Sequence, residues 1–412
     1  MSNLKGIPET PEKRGKGWQR RNGWYIIIVF ILTILRGKMT MKKIAGAAAI
    51  ILILVLLAVS GALADKTVLM TIAGDCTLGS EGFNRKKEDS FFAFVEKNGY
   101  DYFFANFRDL FDNDDLTVVN LEGVLSDSAM SENKHKTFRF RGDTHFVNIL
   151  TGSSVEAVSI ANNHIDDFGE QGVRNTKKTL EENGVGWFQN DKYWLYDRDG
   201  IKIAFFGLQN SKYYALRTKL TKMWKQMKET DGVNAIVVYV HTGIEYVGEH
   251  EQYADVMAST LIDMGADLVL MSHPHVLQGT AVMKNRTVFF SMGNFVFGGN
   301  SAIKKKTYQG IKEVSSLYSM AIQVKMTFTN EGEYLGQRVV IYPAYTSDDP
   351  DVNHYQPKRL TVEEAKPVWD AIQRDTATEL PPLTEVDGLA VIEFPYVPAA
   401  EGTMHPEGTE EE

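Results

Sequence analysis

One cysteine, Cys76, stands in 412 residues, so no internal disulfide can staple this chain. No glycine-rich loop of the P-loop or dinucleotide type is present, which leaves nucleotide-binding folds without their motif. Surplus positive charge is missing as well. The formal net charge is −9, and residues 1–43 hold ten Lys/Arg against Glu9 and Glu12, so the remainder carries −17. A body that acidic lacks the basic face that nucleic-acid binding needs. Long apolar runs are short of a membrane span: Trp24 to Leu35 is twelve residues and Ile44 to Val59 is sixteen, against the roughly 20 of a spanning helix. No internal repeat is found. What remains is ordinary globular composition, 43% hydrophobic and 24% charged, with ample material for a core.

The second apolar run has a setting of its own. Lys42-Lys43 precedes it and Ser60-Gly61-Ala62-Leu63-Ala64 follows it. That is a basic n-region, an apolar h-region and an A-x-A site, with cleavage expected after Ala64. The competing reading keeps residues 44–64 as an uncleaved anchor with the positive arm inside the cell. Both expect residues 65–412 at the extracytoplasmic face of the cell membrane or secreted. Met39 or Met41 suits such a signal as its start, and residues 1–38 are then expected to be an extension from a misassigned start. The organisation expected is a basic extension (1–43), a signal or anchor (44–64), a main domain (65–345), and a C-terminal helix with an acidic tail (346–412).

Within the main domain, strands and helices alternate. Thr67 to Ala73, Leu116 to Asn120, Val155 to Ala161, Ile201 to Gly207, Ala235 to Val240, Leu268 to Met271 and Val288 to Ser291 read as strands. Helices are expected within 91–112, around His145 to Leu150 after an Asp143 cap, and over Glu170 to Glu182, Thr218 to Thr230 and Tyr253 to Met264. Tyr318 to Phe328 and Gln337 to Pro343 read as antiparallel strands. Thr361-Val362-Glu363-Glu364 is a capping box opening a helix to about Arg374. Beyond Pro381-Pro382 the Pro-, Gly- and Glu-rich tail is expected to be disordered. The alternation argues for α/β architecture with substantial parallel sheet.

Several of these strands end in a residue able to bind a metal: Asp75, Asn120 or Glu122, Asn163 with His164, His241, and His273 with His275. Each alone has a bland explanation as turn chemistry or a solvated loop residue. Together they gain weight, because one end of a parallel sheet gathers them in one cleft. Carboxylates, an amide oxygen and imidazoles without thiolate suit a divalent ion such as Mn, Zn or Fe. Such a centre polarises a phosphoryl or acyl oxygen and lowers the pKa of bound water toward roughly 7. His164 is the candidate proton donor, and Glu245, four residues past His241, is a candidate substrate contact or supporting carboxylate. Gly293-Asn294-Phe295 is either an anion contact or a turn. Cys76 reads as a small loop residue, and His135, His145, His250, His354 and His405 as surface residues.

The motifs GDCTLG (74–79), NLEG (120–123), ANNHIDDFGEQG (161–172), VHTGIEY (240–246), DLVLMSHPHVLQG (267–279) and SMGNFVFGG (291–299) resemble the CapA family of poly-γ-glutamate capsule biosynthesis proteins. That family is related to the calcineurin-like metallophosphoesterases. The resemblance runs over roughly residues 67–343. It implies a four-layered metallophosphoesterase-like α/β sandwich, with Asp75, Glu122, Asn163, His241, His273 and His275 as metal-site residues and His164 as the catalytic histidine. The departures are specific. Asp75-Cys76-Thr77 replaces the Asp-x-His of metallophosphoesterases, and Asn120-Leu121-Glu122 stands where they carry a second Gly-Asp; one metal or two both stay open. Thr242 stands where a Trp is usual, and Ser272 where a small residue such as Gly is usual. The implied partners are a polyanionic polymer or phosphoester substrate, a polyglutamate synthase membrane complex and the membrane, with no nucleic acid. The Lys-rich stretches Lys219–Lys228 and Lys304–Lys306 are candidate contacts for a polyanion, or ordinary solvated faces.

Overall fold

A computed structural model describes residues 65–128, 130–308 and 311–400. The basic extension, the apolar segment 44–64 and the last residues 401–412, His405 among them, lie outside the described residues. Among those described, no helix is long and apolar enough to cross a membrane.

The period-2 alternation of apolar side chains builds two sheets, each buried on both faces. The first strand, β1 (Lys66–Thr77), pairs in parallel with β2 (Leu116–Leu121), followed outward by β3 (Ala157–Ser159) and β4 (Gly186–Phe188). Helix α1 (Phe91–Asn98) lies between β1 and β2 in sequence, and α2 (Gly169–Glu182) between β3 and β4. The second sheet begins with β5 (Trp194–Arg198) and β6 (Ile201–Gln209), an antiparallel pair. After α3 (Asn210–Glu229), β7 (Ala235–His241) adds in parallel to β6; after α4 (Gln252–Met264), β8 (Leu268–Ser272) adds in parallel to β7. The edge is the hairpin β9 (Thr280–Met283) and β10 (Arg286–Phe289), of which β10 runs parallel to β8.

The chain then returns to the first sheet. Short β11 (Asn294–Phe297) lies parallel to the end of β1. A small pair, β12 (Lys305–Tyr308) and β13 (Ile311–Ser315), follows. Long antiparallel strands β14 (Tyr318–Phe328) and β15 (Tyr334–Tyr345) cover the other edge of β1. Helix α5 (Val362–Arg374) has the expected capping box between Thr361 and Glu364.

Four layers result. Val68, Met70, Ile72 and Val118 of the first sheet meet Ile203, Phe205, Tyr239 and Leu270 of the second in a shared core. The alternate residues face outward: Ala73, Val119 and Val158 pack on Phe103, Phe107, Leu150 and Leu180, and Phe206, Val238 and Met271 pack on Leu220, Trp224 and Leu261. Helix, sheet, sheet, helix is the α/β sandwich expected.

Four expectations are corrected here. The tail beyond Pro381-Pro382 is not disordered as far as residue 400: β16 (Leu383–Val386) and β17 (Leu389–Glu393) form a hairpin, and β17 pairs with β15. The boundary at 345 therefore dissolves, since residues 346–400 complete the same sheet and α5 seals the shared core through Val368 and Ile372. Helix α3 starts at Asn210 rather than Thr218, because Tyr213 continues the buried stripe of Leu220, Trp224 and Met227. Asp143 precedes the helical residues 144–151 as expected, but its side chain makes no cap; it pairs with Arg85.

Candidate metal centre

The strand ends converge where the two sheets face each other. Asp75 lies inside β1, not past it, at a register shift where β1 passes from Ile72 to Asp75. Gly74 makes this approach feasible: a Cβ there would sit 2.1 Å from the Gly293 carbonyl oxygen, and the Asp75 amide donates to that oxygen at 3.0 Å. Cys76, in the same strand, is a fully buried core residue rather than a loop residue. Asp75 is held by Asn120 Nδ2 on Oδ1 (2.8 Å) and by the His273 amide on Oδ2 (3.3 Å).

Glu122 follows β2 and is wholly buried. Among the described residues neither of its carboxylate oxygens has a hydrogen-bond partner. Its Oε1 lies 3.6 Å from His241 Nε2, 3.7 Å from His164 Nε2 and 3.8 Å from His275 Nε2. A buried carboxylate without a donor costs several kcal/mol unless something positive answers it, so its surroundings are compatible with a cation.

The imidazoles are oriented from behind. His275 Nδ1 is 2.9 Å from Asn294 Oδ1, which makes Nδ1 the donor and leaves Nε2 facing Glu122. His241 Nδ1 contacts Ser272 Oγ at 3.0 Å, while its Nε2 meets Asn163 Oδ1 at 2.8 Å and His273 Nδ1 at 3.1 Å. With the His241 proton on Nδ1 and the His273 proton on Nε2, three acceptor atoms converge there, an arrangement that suits a cation. His273 and His275 both carry positive φ, 108° and 59°, on either side of Pro274. Strain of this kind costs on the order of 1–3 kcal/mol per residue and concentrates at working sites.

Two donor groups with ligand atoms within 4.8 Å of one another emerge: Glu122 with His273 and His275, and Asp75 with Glu122 and His241. Carboxylate and imidazole donors without thiolate fit a divalent first-row ion. The electrostatics agree. Burial pushes the Asp75 carboxyl up to about 6, against the hydrogen bond from Asn120. It raises Glu122 well above the ordinary range, helped by the charges of Asp75, Glu245 and Asp167. Burial also lowers His273 and His275 to about 4, and His241 well below its usual value. Neutral imidazoles are ready to ligate, and the carboxyls await a positive charge.

His164 is set differently. Its Nδ1 donates to Asp167 Oδ2 at 2.8 Å, and that carboxylate also accepts the Phe140 amide (2.7 Å) and Lys136 Nζ (2.9 Å). Sequence reasoning missed Asp167; its place three residues past His164 in ANNHIDDFG was the available signal. Asn162, also missed, links Leu121 O and Asn120 Oδ1 to the His164 amide. Glu245 is half-buried and reaches the centre through its charge on Glu122, His273 and His275. Asn294 is a support for His275. His250 is no plain surface residue: its ring stacks on Phe290 at 3.6 Å and bonds Asp375.

The family description "Bacterial capsule synthesis protein PGA_cap" matches residues 69–299, the span that carries every residue of this centre. The chain belongs to the PGA_cap family. Similar to it is the capsule biosynthesis protein CapA of Bacillus anthracis, 27% identical over 257 residues, covering 57% of this chain and 60% of the relative. The PGA biosynthesis protein CapA of Bacillus subtilis (strain 168) is 26% identical over 230 residues, covering 49% and 58%. This PGA_cap chain thus spans about three-fifths of the length of the curated relatives it matches. A solved structure of a hypothetical protein from Thermus thermophilus covers 67% of this chain and 99% of its own, with 15% identity and a TM-score of 0.38.

Proposed function

We propose that this PGA_cap chain is a metal-dependent, phosphoesterase-like protein that serves assembly of poly-γ-glutamate or a similar anionic surface polymer at the extracytoplasmic face of the cell membrane. The carrying observation is Glu122: a buried carboxylate with no hydrogen-bond partner among the described residues, ringed by three histidine Nε2 atoms within 3.8 Å. In this reading Asp75, Glu122, Asn163, His241, His273 and His275 hold one or two ions of the Mn, Zn or Fe class. When bound, the metal supplies polarisation of a phosphoryl or acyl oxygen and a water of lowered pKa. His164 Nε2 gives or takes the proton at the reacting group, and Asp167 fixes its tautomer. Ser272 and Asn294 keep the rings of His241 and His275 aimed. The localisation rests on the signal-or-anchor pattern of residues 44–64, and the synthase membrane complex is the partner that this localisation and the relatives' names suggest.

A second reading is an assembly partner whose centre binds metal or polymer without turnover. The buried Thr77, in the place of the histidine of Asp-x-His, favours it, since one ligand is missing. Metal analysis of the full chain, run beside turnover of a chromogenic phosphodiester, separates the two. The hydrolase reading expects bound metal and turnover, both lost in His273→Ala and His275→Ala. Metal without turnover selects the assembly reading, and no metal in the wild type removes the hydrolase reading and leaves the assembly reading only its polymer-binding form.

A further inference from the structure

Gln209 ends β6 in register with His241 on the neighbouring strand β7. The two side chains share a face. Phe205 of β6 and Tyr239 of β7 enter the core between the sheets, whereas Leu208 and Val240 face outward, so the alternation turns Gln209 and His241 inward. The two sheets approach closely at this point. A Cβ on Gly207 would lie 2.9 Å from Ala161 Cβ and from Ser159 Oγ, and 3.0 Å from the Phe188 carbonyl oxygen. The Gly207 carbonyl also accepts the Asn190 amide at 2.6 Å. Two residues past this contact on the first sheet stands Asn163, whose Oδ1 meets His241 Nε2. Two residues past it on the second stands Gln209.

The other carboxamides of this end are committed. Asn120 donates to Asp75, Asn162 donates to the Leu121 carbonyl, Asn163 meets His241 and Asn294 meets His275. Gln209 is the N-cap of the 20-residue helix α3, yet its side chain does not cap that helix. Among the described residues it makes no side-chain hydrogen bond. The residue is half-buried, and its carboxamide oxygen and nitrogen stay open to solvent. The charge that follows Asn190, Asp191, is paired with Lys219, so this flank meets the cleft with a neutral carboxamide.

We infer that Gln209 is a specificity-determining residue of this centre, binding an amide unit of the substrate beside the group that His241 and its partners take; the inference rests on the metal-centre reading. A carboxamide donates through its nitrogen and accepts through its oxygen. An amide linkage answers both at once, its carbonyl taking the N–H and its own N–H meeting the Gln209 oxygen. A phosphate or carboxylate uses only the donor, and so does an ester, which has a carbonyl but no N–H. A site that hydrogen-bonds an N–H discriminates against the analogue lacking it. Gln209 therefore selects a chain joined by amides over one joined by esters or phosphodiesters, and it does so without adding charge.

The test uses the full chain, manganese-loaded and EDTA-treated. It measures binding of a labelled γ-linked glutamate oligomer and of its ester-linked counterpart, in which oxygen replaces each amide N–H. The wild type is expected to bind the amide oligomer about tenfold more tightly. Gln209→Leu, close in volume, is expected to remove that difference by weakening the amide oligomer. Gln209→Glu keeps an acceptor and loses the donor, so part of the preference should survive at lower affinity for both. Equal affinity of the wild type for the two oligomers, a preference unchanged in Gln209→Leu, or no binding by the wild type overturns the inference. Manganese content of Gln209→Leu should equal that of the wild type, which shows the centre intact. Absence of metal from the wild type would instead count against the metal centre, and the preference measured on the EDTA-treated chain still reads Gln209.

Discussion

His164 Nδ1 and Asp167 Oδ2 lie 2.8 Å apart, and the carboxylate that takes this proton is fully buried. The carboxylate also holds the Phe140 amide and Lys136 Nζ, so one side chain fixes the histidine's tautomer and the segment that crosses in front of it. Asp167→Asn keeps one neutral oxygen for the Phe140 amide and His164 Nδ1, sets an NH2 group against Lys136 Nζ, and removes the charge that holds the imidazole proton on Nδ1. Turnover of the phosphodiester is expected to fall about tenfold to a hundredfold, with metal content unchanged. Equal turnover in variant and wild type would reduce Asp167 to a structural support.

The site's contribution to stability has a pH signature. Between about pH 4 and 6.5 the folded, metal-free site binds fewer protons on His241, His273 and His275 than the unfolded chain does, and more on Asp75 and Glu122. The histidines' contribution is lost as pH falls through that window; the carboxyls' contribution is lost as pH rises through it. Three groups against two leave a net rise with pH, about 1.4 kcal/mol per pH unit for one uncompensated proton. The raised Glu122 carboxyl opposes this rise, and its contribution is lost as pH climbs through its folded pKa. Thermal unfolding with EDTA should therefore show stability rising from about pH 4 to 6.5, and manganese should add most at the upper end of that window, where Asp75 has lost its proton. A flat profile without metal would contradict the burial of these charges.

Gly74 is a site of close approach. A Cβ there meets the Gly293 carbonyl oxygen at 2.1 Å, and neither strand can yield without moving Asp75. Gly74→Ala is expected to cost on the order of 1–3 kcal/mol and to weaken metal binding as well. Urea unfolding and metal titration check the two effects separately.

Asp375 ties α5 to the loops of the centre. It accepts from His250 Nδ1 (2.8 Å) and from the Gly279 amide (2.7 Å), and the His250 ring also lies 3.2 Å from Asp255 Oδ1. These carboxylates raise the His250 pKa although burial opposes them. Asp375→Ala is expected to destabilise the fold by about 1–3 kcal/mol, with the loss largest at low pH, where His250 is charged. Denaturant midpoints at pH 5 and pH 8 give the comparison.

The sequence made the strands of the two sheets legible because apolar β-branched runs such as 235–240 and 268–271 are buried on both faces and bounded by turn residues. It also made the donors legible, since Asp75, Glu122, Asn163, His241, His273 and His275 fall at matching ends of those runs. Two things were not legible. Residues 383–393 read as a polar tail because the edge strand β16 has no buried residue and the buried run of β17 is only Ala390-Val391-Ile392. Asp167 did not stand out, and Asn294 and Ser272 were noticed without their orienting roles, because a residue that orients another has no spacing rule of its own; it is defined by contacts between loops distant in sequence. His250 was hidden for the same reason, its partner lying 125 residues away.

The donors of the centre come from two separately built halves. Asp75, Glu122, Asn163 and His164 hang from the first sheet, while His241, His273 and His275 hang from the second. Neither half alone presents both carboxylates and the His241–His273 pair. Capture of a metal ion would thus register that the two sheets have docked, since a chain halted after residue 200 would carry Asp75 and Glu122 but none of His241, His273 and His275. If the proposed centre holds a metal, its retention would be a readout of completed folding as much as of chemistry.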